Sequence, residues 1–286
     1  MNKSKAWDGV LPGLIQNRAR KPRGVGVTAV LDRCQGLNAT EDLLELTGDY
    51  VDHIKLGFGT TVFLDDGLLR RKIEIIRARN IDVYPGGTLF EAAVFQGVCA
   101  DYLHRACELG FTAVEVSDGT LDLPLKLRAD VIRRAADMGL KVFTEVGKKD
   151  PGRQLSPAEM SDLIMLDLEM GADKVIVEAR EAGVRVGIYD ENGRVVEERL
   201  NVILAGLDGI DRVIWEAPLK HQHEYFVLRF GPNVNLGNIR PQEVLALEAL
   251  RCALRFETLQ QFVEHPERSD FPEVGDECGC SDGTSR

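Results

Sequence analysis

From Gly24 onward, short apolar runs rich in β-branched residues alternate with longer segments whose apolar positions recur at helical spacing. That alternation is the mark of repeated βα units over a parallel sheet. The candidate strands are Val25 to Leu31, His53 to Leu56, Asp82 to Tyr84, Ala113 to Val116, Lys141 to Val146, Lys174 to Val177, Arg212 to Trp215 and Val234 to Leu236. The helical candidates between them are Thr40 to Thr47, Asp65 to Arg79, Leu89 to Leu109, Pro124 to Met138, Ser156 to Met170, Asn192 to Leu204, His221 to Phe230 and Gln242 to Phe256. Ser156 is an N-cap with Pro157 at the first helical position and Glu159 completing a capping box, and Gly171 closes the same helix. Gly110 and Gly139 end two others. Eight strands, each followed by a helix, predict an α/β fold of the (β/α)8 TIM barrel type, a parallel eight-stranded sheet ringed by outer helices. A doubly wound open sheet, which usually has fewer strands, is the runner-up.

The repeat divides the chain into an N-terminal arm (1–23), a barrel catalytic domain (24–263) and a flexible C-terminal tail (264–286) rich in Asp, Glu, Gly and Ser. Arg18, Arg20, Lys21 and Arg23 make the arm basic, which suits either a solvated arm or a lid over the barrel; the solvated arm is expected. In the tail, Cys278-Gly279-Cys280 lacks the spacing and further ligands of a zinc site. A chain of 286 residues with 44% apolar residues can bury a large core, and its net charge of -11 argues against a nucleic-acid partner. No apolar run approaches the ~20 residues needed to span a bilayer, and the first residues are too polar for a signal-peptide core. With six cysteines falling mostly within strand ends and helices, a reducing cytoplasm is the expected location.

In such a barrel the chemistry is built at the C-terminal ends of the strands, and polar residues gather there. Glu115 and Asp118 follow from the fourth strand, Glu145 from the fifth, Glu178 from the sixth and Glu216 from the seventh. Facing one another across the mouth, these carboxylates would repel strongly unless a divalent cation sat among them. Oxygen donors without a histidine-cysteine set favour Mg²⁺ over zinc. The five histidines form no metal pattern, and His221 and His223 read as surface residues. Lys55, Lys148, Lys149 and Arg180 come from three different strand ends and would gather anions. Gly57-Phe58-Gly59-Thr60-Thr61 and Pro85-Gly86-Gly87-Thr88 offer backbone N–H groups and helix N-termini suited to phosphate, although neither is a Walker loop or a dinucleotide fingerprint. Cys34 has no activating histidine in view, and there is no G-x-S-x-G elbow.

These residues resemble the phosphosulfolactate synthase family. The matching stretches are Asp52-His53-Ile54-Lys55-Leu56-Gly57-Phe58-Gly59-Thr60, Tyr84-Pro85-Gly86-Gly87-Thr88-Leu89-Phe90-Glu91, Glu115-Val116-Ser117-Asp118-Gly119 and Glu145-Val146-Gly147-Lys148-Lys149. Glu178-Ala179-Arg180-Glu181, Trp215-Glu216-Ala217-Pro218 and Asn233-Val234-Asn235-Leu236-Gly237-Asn238-Ile239 continue the match, which runs from about Arg23 to Thr258. The resemblance implies a barrel enzyme that adds sulfite to phosphoenolpyruvate with Mg²⁺, giving (2R)-phospho-3-sulfolactate for coenzyme M. On that reading Glu115, Asp118, Glu145, Glu178 and Glu216 are the candidate metal ligands, and Lys148 or Lys149, with Lys55 as alternative, is the catalytic lysine. Arg180, Gly59, Thr60, Gly87, Thr88 and Asn235 would bind substrate. A homo-oligomer is expected. The alternatives are a barrel enzyme for another phosphorylated enol or 2-oxo acid, and a non-catalytic heat-stress-associated relative.

Overall fold

Strand β1 (Thr28–Asp32) is paired in parallel with β2 (His53–Leu56) on one side and β8 (Leu236–Ile239) on the other. The sheet continues through β3 (Asp82–Pro85) beyond β2, and through β7 (Val213–Glu216), β6 (Lys174–Val177), β5 (Lys141–Val146) and β4 (Ala113–Val116) beyond β8. Its order, β3-β2-β1-β8-β7-β6-β5-β4, is that of a barrel opened at one seam. Thr112 stitches the seam, its N–H donating to Val83 O at 3.1 Å while its Oγ1 accepts from Val83 N at 3.0 Å. The nearly closed (β/α)8 barrel expected from the periodicity is therefore present. This computed structural model describes residues 5–8, 10 and 18–264, so the C-terminal tail and its Cys278 and Cys280 lie outside the described residues, apart from Glu264.

The outer ring comprises α1 (Leu37–Thr47), α2 (Asp66–Arg77), α3 (Gly87–Phe95), α4 (Cys99–Leu109), α5 (Leu125–Asp137), α6 (Pro157–Met170), α7 (Glu197–Ala205), α8 (Lys220–Phe230), α9 (Val244–Arg251) and α10 (Phe256–Glu264). The expected helix Leu89 to Leu109 is two, because Gly97 turns the chain with φ +72°. The expected helix ending at Phe256 also divides, at Ala253 with φ 57°. Strand β8 starts at Leu236, later than the apolar run suggests, because the Asn235 side chain replaces a stretch of ladder. Its Oδ1 accepts from Val27 N at 3.1 Å, and its Nδ2 donates to Asp211 O at 2.8 Å and Val213 O at 2.9 Å.

Inside the barrel Val27, Tyr84, Ala113, Phe143, Ile176 and Ile214 form a small plug, while the larger core fills the layer between strands and helices. At the N-terminal ends of the strands, Arg18 pairs with Glu248 at 2.9 Å and Arg23 with Asp52 at 2.9 Å. Lys21 Nζ donates to Gly48 O at 2.9 Å, Val51 O at 2.7 Å and Arg79 O at 3.0 Å, and burial lowers its pKa to about 8. The basic stretch is thus neither a solvated arm nor a lid at these three residues; it seals the end of the barrel opposite the mouth, and only Arg20 is exposed.

Candidate active site

Alternate side chains of a barrel strand point inward, so the polar residues at strand ends converge on the mouth. Lys55 rises from β2 into the middle of this group, its Nζ 2.9 Å from Glu115 Oε2, 3.2 Å from Glu145 Oε2 and 3.3 Å from Glu216 Oε1. Burial opposes the lysine's charge, yet the three carboxylates outweigh it and hold the pKa well above the ordinary lysine value. Lys149, from the loop after β5, places Nζ 3.1 Å from Glu91 Oε1, 3.5 Å from Glu145 Oε1 and 3.9 Å from Glu178 Oε2. Here too burial is overcome by Glu145, Glu178 and Glu91, and the ammonium form is strongly favoured.

The carboxylates exceed these cations. Burial pushes Glu115 up to about 7, with Lys55 pulling the other way. Burial, with the charges of Glu145 and Glu216, raises Glu178 well above the carboxylate range, whereas Lys55 and Lys149 overcome the burial of Glu145 and hold it well below. One ligand oxygen each from Glu145, Glu178 and Glu216 lies within 4.8 Å of the others, and all three residues are buried. Backbone groups hold them in place: Gly87 N donates to Glu115 Oε1 at 2.6 Å, Ala179 N to Glu216 Oε2 at 2.9 Å, and Arg180 N to Glu178 Oε1. Gly87 has no substitute here, since a Cβ would lie 2.4 Å from Ser117 Cβ and 2.7 Å from Glu115 Oε1.

A cavity of about 200 Å³ opens above this cluster. Its lining includes Lys55, Gly87, Thr88, Glu115, Glu145, Lys149, Glu178, Arg180 and Glu216 from the sequence reading, and adds Gly57, Phe58, Glu181 and Asn238. The volume falls below the ~300–1,000 Å³ of sites for drug-sized ligands, as a substrate of few atoms requires. Four of the residues expected at the site stand elsewhere. Lys148 and Asp118 pair with each other at 3.0 Å outside the cavity lining, where Lys148 Nζ also donates to Asp118 O at 2.8 Å and Leu121 O at 3.1 Å. Thr60 turns its hydroxyl onto Gly57 O at 2.8 Å, with Gly59 in the left-handed conformation beside it. A fifth expected residue, Asn235, sits at the N-terminal ends of the strands, in the bonds that delay β8.

His223, expected at the surface, is buried with Nε2 2.7 Å from Ala217 O, and burial lowers its pKa to about 4. Glu91 and Ser117 are more central than the sequence implies. Ser117 Oγ lies 2.8 Å from Glu145 Oε1 and 3.0 Å from Glu91 Oε1, so that its single proton bridges the two carboxylates, while Glu91 Oε2 accepts from Thr120 N at 2.8 Å. The position of Glu91 on α3, one turn beyond Thr88, was the available signal.

Fold and site together define the class, a (β/α)8 barrel whose charged side chains and cavity gather at the C-terminal mouth, where enzymes of this fold carry their chemistry. The ComA family, (2R)-phospho-3-sulfolactate synthase, matches residues 16–257, and the chain belongs to this family of phosphosulfolactate synthases. It is 44% identical over 248 residues to the phosphosulfolactate synthase of Methanothermobacter thermautotrophicus, covering 86% of this chain and 96% of the relative. With the phosphosulfolactate synthase of Methanocaldococcus jannaschii it shares 45% identity over 235 residues, 82% of this chain and 93% of the relative. Among solved structures, the YdjI aldolase of Escherichia coli K12 shares the fold alone, with a TM-score of 0.54 and 11% identity over 84% of this chain and 90% of that one. No helix among the described residues is long and apolar enough to cross a membrane.

Proposed function

We propose that the protein adds sulfite to phosphoenolpyruvate with Mg²⁺ as cofactor, forming (2R)-phospho-3-sulfolactate on the route to coenzyme M. The observation that carries this reading is the meeting of the buried Glu145, Glu178 and Glu216 with Lys149 and Arg180 around one small cavity in a chain of this family. The donor set fits a hard cation: it offers oxygen atoms only, and Glu178 Oε2 is buried without a hydrogen-bond partner among the described residues. Glu145, Glu178 and Glu216 would hold the ion, which when bound supplies positive charge against the negative charge that develops on the substrate carboxylate.

In the reaction, the sulfur lone pair of sulfite forms a bond to the methylene carbon of phosphoenolpyruvate, and the π pair moves toward C2 and the carboxylate. Lys149 then gives a proton to C2 and is left neutral, to be recharged from solvent. Its carboxylate neighbours keep it protonated until that charge develops. Lys55, bound to three carboxylates, serves to fix Glu115, Glu145 and Glu216 in place. Arg180, whose Nη1 donates to Lys149 O at 3.4 Å, offers its planar fork to the phosphate, and Thr88 lines the same cavity. Lys148, Asp118 and Asn235 have structural roles in this proposal.

A ³¹P NMR time course with phosphoenolpyruvate and Mg²⁺, run with and without sulfite and again with excess EDTA, tests the reading. A new phosphate-ester signal that needs both sulfite and metal is expected; consumption of phosphoenolpyruvate without sulfite, or no reaction, sinks it. We further place the enzyme in the cytoplasm, where its free Cys34, Cys99, Cys107 and Cys252 would stay reduced. We also infer a homo-oligomer, the common state of soluble enzymes, with the exposed Phe63 and Phe95 as candidate contact residues. Sedimentation as a monomer would remove that part, and loss of activity on reduction would remove the compartment.

A further inference from the structure

Strand β8 carries an irregularity that the reaction outlined above leaves unused. Thr28 of β1 faces Leu236 and Val30 faces Ile239, so β8 holds one residue more than β1 between the same two rungs. Such a bulge re-aims a side chain, and next to an active site it is a recurrent device. The backbone of Asn238 takes φ 54° there, a left-handed conformation open mainly to Gly, Asn and Asp. Its side chain lines the cavity and is only 7% exposed, and its Oδ1 is buried with no hydrogen-bond partner among the described residues. A buried carboxamide oxygen left unpaired is uncommon, and in a cavity wall it is explained by a ligand that donates a hydrogen bond to it.

The neutrality of the group selects the ligand. Of the cations around the cavity, Lys149 and Arg180 stand on the β5 and β6 side and Lys55 of β2 is bound to Glu115, Glu145 and Glu216, whereas Asn238 stands beyond β7 on the β8 side. Phosphate is a spectator charge and suits a guanidinium. Sulfite attacks through its sulfur lone pair, and a cation on its oxygens would draw away the charge that makes it nucleophilic. The carboxamide adds no full positive charge: its unpaired Oδ1 can accept from the hydroxyl of hydrogensulfite, and its N–H can donate to the remaining oxygens. We propose that Asn238 binds the sulfite nucleophile and directs its sulfur at the methylene carbon. Nucleophile and proton donor then approach the substrate from different sides of the barrel. This inference rests on the synthase reading and names the residue that gives it specificity for sulfite.

Asn238→Gly and Asn238→Asp both tolerate the left-handed backbone and so separate side-chain loss from misfolding. Initial rates of the full-length enzyme with Mg²⁺ would be measured with sulfite and phosphoenolpyruvate varied in turn. Loss of hydrogen bonds to an anion predicts a rise of about tenfold or more in the KM for sulfite with Asn238→Gly. The rise should be larger with Asn238→Asp, whose carboxylate repels the anion, while the KM for phosphoenolpyruvate moves by less than about twofold, since no hydrogen bond to it is lost. An unchanged KM for sulfite, or a rise confined to phosphoenolpyruvate, overturns the assignment. Absence of sulfite-dependent turnover in the unaltered enzyme would remove the synthase reading and this inference with it. Normal turnover in the unaltered enzyme with equal KM values in the variants would remove only the role of Asn238.

Discussion

At the scale of single residues, the site depends on charges that none of its members would tolerate alone. Lys149 is held as an ammonium by Glu91, Glu145 and Glu178, and its loss removes the proposed proton donor. Lys149→Ala should lower kcat by roughly 10²–10⁴-fold, the usual worth of a positioned general acid, with the far-UV circular-dichroism spectrum of the folded protein retained. A variant keeping most of its turnover would take Lys149 out of the chemistry. Glu115 makes a pH prediction. Because burial raises its folded pKa to about 7 from an ordinary 4.5, the folded state binds more protons than the unfolded state between those values. Its contribution is full below pH 4.5 and is lost as pH rises toward 7. In metal-free protein, the melting temperature of Glu115→Gln relative to the unaltered chain should therefore rise across that window, and a constant difference would contradict it.

At the scale of elements, the site is steadied from outside the barrel. Arg128 on α5 pairs with Asp167 on α6 at 2.5 Å, both fully buried, and its Nη2 also donates to Glu145 O at 3.1 Å. One guanidinium thus joins two helices to the strand end that carries a candidate metal ligand. Removing Asp167 leaves the buried guanidinium with only its longer pair to Asp118, at 3.4 Å, and breaking a buried pair in this way costs about 3–5 kcal/mol. Asp167→Ala should lower the urea midpoint accordingly, and a shift under about 1 kcal/mol would show that water or another group compensates. The capping box of α6, with Ser156 Oγ accepting from Glu159 N at 3.2 Å and Glu159 Oε2 from Ser156 N at 2.8 Å, was readable from the chain because it is a local pattern. The break between α3 and α4 was not, since the apolar periodicity runs through Gly97 and only packing rewards the turn.

At the scale of the whole molecule, the barrel has one open end and one sealed end. Arg18, Lys21 and Arg23 satisfy carbonyls and carboxylates at the sealed end, so the electrostatic imbalance is concentrated at the mouth. Mg²⁺ binding there should stabilise the fold by mass action, about 2.7 kcal/mol at a hundred times Kd. Scanning calorimetry should show a Mg²⁺-dependent rise in Tm that Glu178→Gln largely abolishes. An equal rise in the variant would remove Glu178 from the ligand set.

The sequence by itself determined the number of βα units, the strand bounds His53–Leu56, Ala113–Val116, Lys141–Val146 and Lys174–Val177, and most of the polar residues at the mouth. Those follow from periodicity and from the rule that barrel chemistry collects at strand C-termini, both of which are local in the chain. Which of two adjacent lysines faces the cavity was decided by tertiary structure alone. Lys149 reaches Glu91, Glu145 and Glu178, partners contributed by three separate elements, whereas Lys148 finds Asp118 outside the cavity. Similarly, Asn235 and Asn238 lie three residues apart in one motif, yet the first repairs the ladder at the sealed end and the second reaches the cavity through a bulge. Neighbouring residues on a strand point in different directions, and a single extra residue changes the sequence of directions; only the partners brought in by the closed sheet settle which residue meets the ligand.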